Sequence, residues 1–103
     1  MLYEEIKELL AQRGFFNFTA KRDKNNRHVT YTYHSIVYYA VNIVVDTIKL
    51  DKERIVTRVK IANINIDDEK ELIPTLNGLY KIHNAIVYGN RKSNKNYGKV
   101  KTN

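Results

Sequence analysis

The chain contains no cysteine, so disulfides, thiolate metal sites and a cysteine nucleophile are excluded, and a reducing, cytoplasmic setting is the expectation. One proline and four glycines in 103 residues leave little backbone punctuation, and the turns fall instead on the polar clusters DKNN (23–26) and LDKE (50–53). No apolar run approaches the roughly 18–20 residues needed to span a bilayer. The opening MLYEEIKELL lacks the basic segment and small-residue cleavage site of a signal peptide.

Reactive side chains are as scarce as cysteine. The three histidines, His28, His34 and His83, have no carboxylate or second histidine three or four residues on, the spacing a metal site on a helix would need. Ser35 and Ser93 are the serines. Ser93 falls in the basic C-terminal stretch, and Ser35 has no nucleophile elbow. His34 and Ser35 are neighbours on an extended segment and point to opposite faces. The acidic clusters Glu4-Glu5-Glu8 and Asp67-Asp68-Glu69-Glu71 open helical segments, where the positive helix end accounts for them. YGNRKSNKNYG has neither Walker nor dinucleotide spacing. These absences lead to the expectation of a non-enzymatic protein with no cofactor and no metal.

What is present is a chain of ordinary apolar content, 43%, long enough for a single hydrophobic core. Lys, Asn, Ile and Tyr are over-used. All four have AT-rich codons, which points to an AT-rich bacterial genome or to a phage or mobile element. The formal charge is +7, and it is unevenly spread. Residues 1–50 carry seven cations and five acids, residues 51–83 six of each, and residues 84–103 five cations and no acid. The body is close to neutral and the excess sits at the C-terminal end, which weakens any inference from isoelectric point alone.

LYEEIKELLAQR (2–13) has the spacing of an amphipathic helix closed by Gly14. FFNFTAKR (15–22) reads as a strand with Phe16, Phe18 and Ala20 on one face. From Arg27 to Leu50 the chain is rich in β-branched and aromatic residues and too long for one strand. Breaks are expected at His34-Ser35 or around Ala40 to Asn42. Strand is preferred for 35–47 over a helix capped by Ser35, because β-branched residues crowd it. RIVTRVKIANINI (54–66) reads as one half-buried strand, with Ile55, Thr57, Val59 and Ile61 inward. Leu72, Leu76, Leu79, His83 and Ile86 give a helical stripe that begins near Pro74 and ends near Tyr88.

The fold expected is therefore α+β: an antiparallel meander of about four strands, packed on one face by an N-terminal and a C-terminal helix. Residues 1–88 form the single domain, and 89–103 a basic, flexible tail. Four of the eight tyrosines lie in VTYTYHSIVYY (29–39). Tyr31 and Tyr33 share a face with Val29, so alternation makes them core residues rather than a base-stacking platform.

Three groups of cations remain as candidate contact residues. The turn offers Lys21, Arg22, Lys24, Arg27 and His28; the outward face of the last strand offers Arg54, Arg58 and Lys60. The tail offers Arg91, Lys92, Lys95, Lys99 and Lys101, with Tyr97 between them. The expectation is a small basic binding protein that contacts DNA or RNA through the hairpin turn and the tail. The near-neutral body supports an alternative: a protein-binding inhibitor of a host nuclease or other nucleic-acid machinery, encoded by a phage or mobile element and anti-CRISPR-like in type. A third reading is a homodimer formed by pairing an edge strand across a two-fold axis. No membrane partner is expected.

Overall fold

The computed structural model describes the backbone of residues 1–99 and the side chains of residues 1–89. Helix α1, Tyr3–Ala11, starts where Glu4 and Glu5 meet the positive helix end, and the Glu5 carboxylate accepts a hydrogen bond from the Leu2 amide at 3.0 Å. Tyr3, Ile6 and Leu10 form its buried stripe. Gly14, at φ 90°, turns the chain into the first strand through a conformation that costs an L-residue.

Five strands follow in one antiparallel sheet whose order is the chain order: β1 Asn17–Arg22, β2 His28–His34, β3 Ile43–Leu50, β4 Glu53–Ile61 and β5 Ile64–Ile66. A 3-10 turn at Glu69–Glu71 leads to α2, Leu72–Asn77, and then α3, Leu79–Lys99. The fold is α+β, with a five-stranded antiparallel sheet and three helices. Among the described residues no helix is long and apolar enough to cross a membrane.

β2 shows why the sheet has an inside. Its burial alternates strictly, with Val29, Tyr31 and Tyr33 buried and Thr30 and Thr32 half-exposed between them. The Tyr3 ring of α1 stacks on Tyr31 at 4.3 Å between centroids, and the hydroxyls of Tyr3 and Tyr33 hydrogen-bond to each other. Ile43 and Val45 of β3, Val59 and Ile61 of β4, and Leu72, Leu76 and Leu79 of the C-terminal helices belong to the same buried cluster. Burying each such side chain is worth about 1.5–3 kcal/mol. Tyr31 and Tyr33 are core residues, as alternation predicts, and offer no ring to a base.

The structure corrects the expected secondary structure in four places. There are five strands, because the stretch read as one strand over 54–66 folds back at Ala62-Asn63, pairing Ile61 with Ile64. Ala62 holds φ 54° there, a turn that no glycine or proline announces. Residues 35–42 form a turn-rich connection, so both foreseen breaks occur and β3 begins only at Ile43. A bulge between Asp46 and Thr47 in the β3–β4 register puts Val56 opposite Thr47 and Ile55 opposite Ile48. Val56, not Ile55, therefore packs against the core. Finally, the C-terminal helical stripe is divided at Gly78, and α3 continues past Gly89 to Lys99, beyond the Tyr88 where the helix was expected to end.

Candidate functional site

The basic hairpin turn is built around a carboxylate. Asp23 Oδ1 accepts the Arg27 amide at 2.8 Å, while Oδ2 accepts the His28 amide at 3.2 Å and lies 3.1 Å from His28 Nδ1. The His28 hydrogen bond is the main reason this carboxyl is held below the usual range. Asn26 completes the reversal at φ 57°, a conformation Asn tolerates. Asp23 thus does more than offset one charge: it folds the turn that presents Lys24 and Arg27. The turn does not present its cations together. Lys21 is in register with Thr30 and Arg22 with Val29, so Lys21 faces the uncovered side of the sheet and Arg22 the core side.

The three β4 cations are separated by the bulge. Arg58 and Lys60 lie on the uncovered face, in register with Asp46 and Val44. Arg58 Nε donates to Asp46 Oδ2 at 3.0 Å, and Thr30 Oγ1 donates to the other Asp46 oxygen at 2.7 Å. A row Lys21–Thr30–Asp46–Arg58 therefore crosses four strands. Arg54 was read as a companion of Arg58 and Lys60 on the solvent face, and the structure corrects this. The bulge turns Arg54 to the opposite face, where its guanidinium donates to the carbonyls of Asn26 (2.9 Å) and Arg27 (3.3 Å) and to Thr47 Oγ1 (3.0 Å). Arg54 clasps the neighbouring turn, giving three of its five donors to the protein itself.

The β1–β2 and β3–β4 turns share one end of the sheet. A cleft of about 340 Å³ beside the second turn is lined by Lys49, Lys52 and Arg54 but also by Glu4 and Glu53, so the end is mixed rather than uniformly basic. The opposite end has a different chemistry. Ser35 is buried and its Oγ accepts the amides of Val37 (3.1 Å) and Tyr38 (3.2 Å). That turn holds Ile36, Val37 and Tyr39 outward, 87%, 66% and 69% exposed. Phe16, 69% exposed, precedes Asn17, which pairs with His34 at the same end. α3 anchors the loop: His83 Nδ1 accepts the Ala40 amide at 3.3 Å, and the Tyr39 ring sits edge-on to the imidazole at 4.6 Å.

Among the described residues no group of three or more His, Asp or Glu could hold a metal ion. Ser35 Oγ, the candidate hydroxyl, is buried and occupied by two amides. Of the tail candidates, Arg91, Lys92, Lys95, Tyr97 and Lys99 fall on the α3 backbone, and Lys101 lies outside the described residues. Sequence reasoning missed the organising roles of Asp23 and Asp46 and the exposed Ile36-Val37-Tyr39 loop. The signal for the loop was Ser35, a genuine cap for two amides without the helix that was weighed beside it. Compared with family models, curated proteins and solved structures, the chain has no match in any of the three.

Proposed function

We propose that the protein is a non-enzymatic binder of nucleic acid in a cytoplasmic setting, and that its main contact is the cationic side of α3, assisted by Lys24 and Arg27 at the hairpin turn. One observation carries this reading. At about 100° per residue, positions 91, 92, 95 and 99 of α3 fall within one arc of about 100°, and Lys81, exposed on the same helix, falls in it too. Leu79, Ile82 and Ile86, which meet the core, occupy the other side. No Asp or Glu follows Glu71 anywhere in the chain. A helix whose apolar positions meet the core on one side, and whose cations share one arc with Asn84 and Tyr88 but with no acid, suits the phosphate backbone, which is recognised by charge rather than by sequence.

The test is the salt dependence of binding to generic duplex DNA. If Arg91, Lys92, Lys95, Lys99 and Lys101 each neutralise one phosphate, log K falls against log salt with a slope of about −4.5. Affinity then drops several hundred-fold between about 50 and 200 mM salt. Replacing the five by glutamine in the full chain should remove most of the slope. Binding that keeps its slope in that variant overturns the assignment.

The exposed Ile36, Val37, Tyr39 and Phe16 favour a second reading, in which the partner is a protein of the nucleic-acid machinery and the chain acts as its inhibitor. Large apolar side chains grouped at one end of a small domain are costly unless covered. Absence of micromolar binding to duplex DNA, single-stranded DNA and RNA at about 150 mM salt moves the assignment to this reading.

A further inference from the structure

We propose that β1 is a dimerisation edge, and that two copies of the chain join by pairing β1 with β1 antiparallel, in register about Thr19. β1 is the last strand on its side of the sheet, and all six of its residues are exposed. The Asp23 amide bonds the His28 carbonyl at 3.1 Å. With the β1–β2 register, this makes Asn17, Thr19 and Lys21 the residues whose backbone groups bond to β2. The amides and carbonyls of Phe18, Ala20 and Arg22 therefore point off the free edge, which has no proline and no bulge to protect it. The opposite edge, β5, is only three residues long.

The side chains of β1 favour a second copy over another peptide. On the core side, Phe18 extends the aromatic row, 5.0 Å from Tyr33 and 5.4 Å from Tyr31, yet is 40% exposed because the sheet ends beside it. Centred on Thr19, an antiparallel pair sets Phe18 against Ala20 of the second copy, so their backbone groups bond reciprocally and the half-covered phenylalanines approach each other diagonally. Arg22 falls opposite Phe16 of the second copy, a cation over an exposed ring. Lys21 falls opposite Asn17. The like charges of β1 are thereby kept at opposite ends of the joint, whereas a register centred on Lys21 would set lysine against lysine. The two-fold axis stands perpendicular to the sheet, so both uncovered faces look the same way. Lys21, Arg58 and Lys60 of both copies then line one continuous surface.

Because the chain has no cysteine, single cysteines report the register directly. Thr19 meets its own copy in a non-hydrogen-bonded pair, where the Cα atoms lie about 4.5 Å apart, within disulfide range. Under mild oxidation Thr19→Cys should cross-link to a covalent dimer, while Asn17→Cys and Lys21→Cys should not. The native chain should show a dimer in sedimentation that grows with concentration. Ala20→Pro removes an amide that points off the edge and costs no bond to β2. It should sediment as a monomer with an unchanged circular-dichroism spectrum. Thr19→Lys, which opposes two like charges at the axis, should do the same and serves if the proline variant fails to fold. A native chain that stays monomeric at every soluble concentration overturns the proposal. So does equal cross-linking at positions 17, 19 and 21. The salt slope of DNA binding is read separately, so failure here leaves the α3 assignment standing.

Discussion

The hydroxyls of Tyr3 and Tyr33 satisfy each other inside the core, where no water need enter. Removing one leaves its partner an unpaired buried polar group, and removing both leaves two apolar rings. Tyr3→Phe and Tyr33→Phe should therefore each cost about 1–2 kcal/mol, and the double variant clearly less than their sum, as read by urea unfolding in a double-mutant cycle. Burial is also the largest cause raising both phenol pKa values above the ordinary 10.0. A folded pKa above the unfolded one means that stability is complete below about pH 10 and is lost as pH rises beyond it, since the unfolded chain then releases protons the folded chain retains. The double phenylalanine variant should flatten that alkaline limb. The burial of Tyr31 and Tyr33 was legible in the alternation after Val29, because a strand has only two faces. That Tyr3 would supply the partner was not legible, since the pairing depends on how α1 crosses the sheet.

At the scale of elements, two positions with positive φ are filled by opposite choices. Gly14 at φ 90° ends α1, and a Cβ there would meet only Ser35 Oγ at 3.7 Å, so the space is open and the obstacle is the backbone. Gly14→Ala should cost about 1–2 kcal/mol for that reason. Ala62 takes φ 54° in the β4–β5 turn without a glycine's freedom. Ala62→Gly should relieve strain and raise stability by about 0.5–1 kcal/mol, with the urea midpoint moving up at unchanged slope. The same contrast explains what could be read. α1 and β2 were legible because glycine, a cap and strict periodicity agree. β5 was hidden because the positive φ of its turn falls on Ala62 and only a lone Asn63 beside it favours a turn, and the parity of β4 because Ile55, Thr57, Val59 and Ile61 alternate perfectly through a bulge that the tertiary pairing imposes. Among the candidate cations, position in sequence could group Arg54 with Arg58. Only the register shift reveals that one clasps a turn while the other faces solvent beside Asp46.

Seen whole, the sheet has ends of contrasting chemistry, and this allows the two functional readings to be separated without disturbing the fold. Lys24 and Arg27 stand on an exposed turn whose shape depends on Asp23 rather than on them, and Ile36, Val37 and Tyr39 stand on a loop whose shape depends on Ser35 and His83. Substitution of Lys24 and Arg27 should leave stability within about 0.5 kcal/mol of the native chain, and substitution of the apolar set should cost about 1 kcal/mol at most, from the Tyr39–His83 ring contact. Lys24→Glu with Arg27→Glu should weaken DNA binding about equally on all sequences, because phosphate contacts carry no sequence information. Ile36→Ser, Val37→Ser and Tyr39→Ser together should leave DNA binding unchanged and improve solubility, because they remove mostly exposed apolar surface, with the Tyr39 ring's edge-on contact to His83 the one packing contact given up. A protein-binding inhibitor should behave in reverse, losing its partner on the serine substitutions and tolerating the glutamates. Both outcomes are read from titrations of the same two purified variants. A loss of DNA binding in the serine variant alone would move the nucleic-acid contact from α3 and the hairpin turn to the aromatic end of the sheet.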